Sequence, residues 1–175
     1  MDRGNHVRPL AISLTVLGAV ARLLPHPPNF APVGGMSLYA GARLRGWQAL
    51  ALPLVLMLVT DPLLGGYSAA TPLIYLSFMI NVWIGRRLQS TESPWRIGAA
   101  CLICSAQFFL LSNFGVWLGG LYPHTLAGLG LCYTAAIPFF GRTLGADILY
   151  SAVLFGLHAW LSRTVLTAER VPATA

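Results

Sequence analysis

The stretch IGAACLICSAQFFLLSNFGVWL, residues 97–118, runs for 22 residues without a single charge. A helix rises about 1.5 Å per residue, so roughly 20 apolar residues cross the ~30 Å hydrocarbon core of a bilayer. This run therefore predicts a membrane-spanning helix. Working outward, similar runs recur on both sides. Residues 10–24 stop at Pro25, 33–42 are rich in small residues, 47–60 close at Asp61-Pro62, and 72–85 end at Arg86-Arg87. Beyond the central run lie 125–140 and 144–161. No internal repeat, low-complexity tract or long linker separates them, so residues 1–175 read as one integral membrane domain.

Composition supports the same reading. Hydrophobic residues make up 56% of the 175 and charged residues only 9%, against about 25% charged in ordinary globular chains. Such a chain has too little polar surface to coat a water-facing exterior, so its outer face must meet lipid. The net charge of +6 comes from arginine alone, since lysine is absent. These arginines sit singly or in pairs between apolar runs, with no basic stripe and no interleaved aromatics, which excludes a nucleic-acid binder.

Arginine placement orients the chain. With the N-terminus in the cytoplasm and residues 125–140 as a re-entrant or surface segment on the outer side, within an outer region 119–142, six crossings result. Arg3, Arg8, Arg43, Arg45, Arg86, Arg87, Arg96, Arg163 and Arg170 then face the cytoplasm, and only Arg22 and Arg142 face outward. Seven full crossings would place Arg163 and Arg170 outside as well, a weaker match to the positive-inside rule. The expectation is an all-α polytopic bundle of about six transmembrane helices in a bacterial inner membrane, with both ends cytoplasmic. The second run is expected to lie largely inside the bundle. Trp47, Trp83, Trp95, Trp117 and Trp160 fall near run ends, where indoles anchor at interfaces. A competing reading takes residues 1–21 as a signal peptide ending in Ala19-Val20-Ala21.

Walker-type phosphate loops, zinc signatures and a G-x-S-x-G elbow are absent. No enzyme activity, metal or cofactor is expected, and active transport would need a partner protein or an ion gradient. Cys101 and Cys104 form C-x-x-C inside an apolar helical run and, with Cys132, read as small packing residues.

The unusual polar residues collect at the predicted outer ends: Arg22, His26, Asn29, Asp61, Tyr67, Tyr75, Tyr122, His124, Arg142 and Asp147. Ionisable groups at membrane depth are costly and face a cavity or each other. Arg22 and Asp61 could close helix ends as a salt bridge, and Asp147 could pair with Arg142. Alternatively, the same groups line a pocket where loops 24–33, 61–71 and 119–142 converge. Those loops suit such a role: PHPPNFAP, residues 25–32, cannot be helical, and Gly65-Gly66-Tyr67 and LGGLYPH, residues 118–124, each join a glycine turn to an aromatic ring. Asn81, Gln107 and Asn113 read as interhelical hydrogen-bonding residues. Two small-residue stripes, Ala11-Thr15-Ala19 and Gly115-Gly119, suit either internal packing or a docking face.

RLLPHPPNF (22–30), SNFGVW (112–117), GGLYPHTLA (119–127) and AIPFF (136–140) resemble an uncharacterised family of small bacterial integral membrane proteins assigned to transport. The likeness covers nearly the whole chain. More distantly, the layout resembles the S-components of energy-coupling-factor vitamin transporters, nearest the solitary cobalamin-binding type. That likeness implies a six-helix fold, a vitamin held in an outward cavity and an energising partner. Asp61, Tyr75 and Arg142 match three of that type's site residues, while its cysteine has no counterpart in residues 66–71. The expected function is a transporter or substrate-binding transport subunit for a small polar or vitamin-like molecule, a cobalamin-like compound included. The alternative is a non-transporting membrane scaffold or assembly subunit.

Overall fold

The computed structural model describes residues 3–89 and 91–168. Both chain ends, assigned above to the cytoplasm, lie outside the described residues, as does Arg170. Among the described residues the fold is all-α. Its helices are α1 (Arg3–Ala21), α2 (Val33–Arg43), α3 (Gln48–Thr60), α4 (Thr71–Arg86), α5 (Pro94–Leu118) and α6 (Leu126–Ala168), with a 3-10 turn at Asp61–Leu64. Five of the helices overlap the apolar runs read from the sequence, although α1 begins before its run and stops at Ala21, short of Pro25.

The exception is α6. Residues 126–140 and 144–161, read above as separate runs, are parts of one continuous 43-residue helix. Pro138 and Gly141 read locally as a break, since proline removes a backbone donor and both residues disfavour helix interiors. Contacts with α5 on both sides of the proline override that signal. The Tyr133 hydroxyl donates to the Leu110 carbonyl at 2.7 Å, the Cys132 thiol to that of Asn113, and Phe109 packs against both Tyr133 and Phe140.

The centre of the fold is α2. It touches all five other helices, and every residue from Val33 to Ala42 is buried, as expected for that run. Its crossing with α4 is backbone to backbone: a Cβ on Gly41 would lie 2.1 Å from the Val82 carbonyl oxygen, and one on Gly85 2.2 Å from that of Leu38. Only glycine permits this approach, which leaves α2 shielded by its neighbours. The two small-residue stripes are also consumed internally. Ala11, Thr15 and Ala19 are buried, and Gly115 and Gly119 press on Ala70 and Ala69.

Alongside its hydrophobic core, the bundle buries several polar side chains and exposes many large apolar ones. Thr15, Ser37, Ser77, Asn81, Ser105 and Ser151 have no exposed surface, whereas Leu17, Val59, Leu102, Ile103, Leu110, Leu131 and Ile137 stand outside. On α5 the buried face is Ala100, Cys101, Cys104, Ser105, Ser112 and Gly115. Two helices, α5 and α6, are long and apolar enough to cross a membrane.

Candidate functional site

At one end of the bundle, just past α1, Arg22 meets the corner where α3 gives way to the 3-10 turn. One guanidinium nitrogen lies 2.6 Å from Asp61 Oδ1, and the other donates to Thr60 Oγ1 at 2.9 Å. The Tyr75 hydroxyl, one turn into α4, donates to Asp61 Oδ2. Both charges are largely shielded, with side chains 17% and 10% exposed, and each satisfies the other. The corner ties α1, α3 and α4 together.

Beside it lies a cavity of about 210 Å³. Arg22, Asn29 and Thr143 line it together with Ala31, Val33 and Gly34, the apolar Ile74, Phe78 and Phe108, and the buried Asn81 and Asp147. The proline-rich connection supplies Asn29, whose positive φ of 62° is tolerated by asparagine better than by most residues. His26 holds that connection in place, its ring nitrogens lying 3.1 and 3.2 Å from the Pro27 and Arg22 carbonyl oxygens. Phe30 then packs near Tyr150 of α6, so α2 begins inside the bundle.

Asp147 is 3% exposed and, among the described residues, has no cationic partner. Its carboxylate accepts from the Ser105 hydroxyl at 2.6 Å and from the Gly35 backbone N–H. The latter is one of the orphan donors at the start of α2, an end that carries partial positive charge. Gly34 makes this approach possible, because a Cβ there would fall 1.9 Å from Asp147 Oδ1. A carboxylate has about four acceptor sites, so acceptor capacity remains towards the cavity.

Asn81 has no exposed surface. Its orientation follows from its neighbours. Gln107 Nε2 donates to the Ser77 carbonyl at 2.9 Å, and a carbonyl accepts only, so this end of Gln107 must be nitrogen. The same nitrogen lies 2.7 Å from Asn81, which must therefore present Oδ1 to it. Asn81 Nδ2 is left without a partner in the wall of the cavity.

Of the ten residues singled out in the sequence, Arg22, Asn29 and Asp147 line the cavity, Asp61 and Tyr75 brace it, and His26 secures its covering connection. The remaining four are not among its walls. The Tyr67 hydroxyl donates to the Leu58 carbonyl, His124 bonds to the Trp117 carbonyl at 2.9 Å, and Tyr122 is half-buried in the turn before α6. Arg142 is exposed, its guanidinium 5.9 Å from the Phe139 ring centroid, and does not pair with Asp147. Sequence reasoning read Asn81 as an interhelical hydrogen-bonding residue, which its bond to Gln107 bears out, but did not place it at a cavity, and it passed over Gly34, Ser105, Phe108 and Thr143. One signal was available: Ile74, Phe78 and Asn81 recur at the i, i+4, i+7 spacing of one helix face.

A larger cavity of about 420 Å³ lies between α5 and α6 near the far end of α2, lined by Arg43, Glu92, Cys101, Phe155 and Arg163 among others. Its polar groups are already engaged. Arg43 donates to the Leu88 and Thr91 carbonyls, and Glu92 pairs with Arg163 at 2.7 Å. Nearby, the buried Tyr39 hydroxyl and His158 Nδ1 are 2.7 Å apart, a pair with no sequence signature.

Among the described residues the fold and site define an all-α bundle with many exposed apolar side chains and, beside the Arg22–Asp61 corner, a small cavity with apolar and polar walls. The family described as a family of unknown function, DUF6580, matches residues 4–171, and the chain belongs to it. No curated protein and no solved structure matches it.

Proposed function

We propose that the chain is a multi-pass protein of a bacterial inner membrane, with both ends cytoplasmic, which takes up a small polar molecule from the outer side as a transporter or as the substrate-binding subunit of one. One observation carries this reading: a cavity edged by buried, incompletely used polar groups inside a bundle whose exterior is apolar. Buried polar groups in lipid are costly unless they serve a pathway or a partner. The three-way tie of Arg22, Asp61 and Tyr75 fits a rigid rim, and the proline-rich connection fits a cover. The small-molecule partner would come from outside, lipid would surround the helices, and inward movement would draw on an ion gradient or an energising protein. No catalytic role is proposed.

The likeness to S-components agrees with a cavity beneath connecting segments. A cavity of about 210 Å³ favours cargo far smaller than a corrinoid, and Arg142 stands apart from Asp61 and Tyr75. Burial of the Ala11-Thr15-Ala19 stripe also argues against a scaffold that docks through it.

Native mass spectrometry of the detergent-solubilised protein tests the proposal. A copurifying small molecule is the expected result. A stoichiometric protein partner with no small molecule would turn the reading towards a scaffold. Reporter fusions that put the C-terminus in the periplasm would overturn the topology.

A further inference from the structure

We infer that the cavity recognises an uncharged amide or lactam edge, a carbonyl beside an N–H, on a small and otherwise apolar molecule. The inference rests on the cavity being the substrate site, and it comes from two buried polar groups with unused capacity there. Asn81 Nδ2 is a buried donor without a partner, and its orientation is dictated by the Ser77 carbonyl acting through Gln107. A donor in that position calls for an acceptor on the ligand, because leaving a buried donor unpaired forfeits a hydrogen bond. Asp147 is acceptor-rich and receives only the Ser105 hydroxyl and the Gly35 N–H, so it calls for a donor.

Charge narrows the class further. An anionic ligand would meet the Asp147 carboxylate, and the charge of Arg22, the cation in the lining, is already offset by Asp61. A ligand with donors alone would suit Asp147 but leave Asn81 Nδ2 unpaired. One carrying both an acceptor and a donor satisfies the two together. Ile74, Phe78 and Phe108 supply apolar walls for the rest of it.

Three isosteric probes separate these cases: benzamide offers an acceptor and a donor, benzamidine offers donors and a positive charge, and benzoate offers acceptors and a negative charge. Binding of each to the purified full-length protein would be measured by calorimetry, with intrinsic tryptophan fluorescence reporting that the fold is intact. Benzamide is expected to bind at least about tenfold more tightly than either analogue, since a site built around a hydrogen bond rejects molecules that lack it. Asn81→Asp keeps an oxygen for Gln107 and removes the free donor, so it is expected to reverse the preference in favour of benzamidine. The wild-type ranking stands as a test even if that variant does not fold. Tightest binding of benzoate or benzamidine to the wild type, or no binding of any probe, overturns the inference. If the ranking fails while native mass spectrometry finds a copurified small molecule, only the amide edge falls. If the protein is empty as well, the substrate-site reading falls with it.

Discussion

Asp61 and Asp147 are both buried acids, 8% and 3% exposed, yet the molecule treats them in opposite ways. Asp61 has a full counter-charge in Arg22 and a phenol from Tyr75, so its corner is electrically closed. Asp147 is held only by neutral donors, a serine hydroxyl and the first turn of α2. A closed ion pair between three helices is what architecture needs. An acid supported by dipoles beside a cavity keeps part of its hydrogen-bonding capacity for something else. Burial alone does not distinguish a structural charge from a functional one; the identity of the partners does.

The largest effect should come from breaking the closed corner. Asp61→Ala strands the Arg22 guanidinium in a site that is 17% exposed, and removing one partner of a buried pair costs about 3–5 kcal/mol. A large drop in thermal midpoint in detergent is expected. Combining Arg22→Met with Asp61→Leu should recover most of that loss, because an apolar pair of similar volume replaces a neutralised one. An unchanged midpoint for Asp61→Ala would show that the corner is not closed at all.

Gly34→Val follows in size. Its Cβ would collide with Asp147 Oδ1 at 1.9 Å, so either the carboxylate leaves its Ser105 and Gly35 donors or α2 and α6 move apart, at a cost of about 3 kcal/mol. The proportion of monodisperse protein after gel filtration reports it. Wild-type behaviour would mean that α2 does not approach Asp147 as described.

Asp147→Asn sharpens the contrast rather than breaking the fold. The amide oxygen can still accept from Ser105, while the amide nitrogen opposes the Gly35 donor, so about 1–2 kcal/mol is lost. Ligand retention should fall far more than stability. Native mass spectra in which this variant keeps a small molecule as well as the wild type does would remove Asp147 from the site.

Much of the fold was legible because apolar runs in this chain end at residues with clear physical meaning. Asp61-Pro62 and Arg86-Arg87 each mark a true helix end, α1 stops at Ala21, short of Pro25, and the burial of residues 33–42 followed from their small side chains. The continuity of α6 was not legible. Pro138 and Gly141 are genuine breakers in isolation, and what holds the helix across them is contact with Leu110, Asn113 and Phe109, some 20 to 30 residues earlier. The site divided the same way. Its charges stood out because acids are scarce here, so Arg22, Asp61 and Asp147 were singled out, and the structure sets them in or beside one cavity. The spare donor of Asn81 was hidden, since it depends on the Ser77 carbonyl read through Gln107, 30 residues away.

The smallest effect is expected at Arg142, the one charge that sequence reasoning drew into the outer cluster and that lies outside it. Its misplacement follows directly from the broken reading of α6. As the start of a fresh helix, residue 142 would face the same loops as Asp61, whereas within a continuous helix it falls on an exposed face over Phe139. Arg142→Ala removes only a long cation–π contact near 6 Å, and exposed substitutions of this kind stay within about 0.5 kcal/mol. Thermal midpoint and ligand retention should both match the wild type. Should ligand retention collapse while the midpoint holds, Arg142 would have to reach the cavity in the ligand-bound protein, and the separation between the closed corner and the open acid would need to be redrawn around a second arginine.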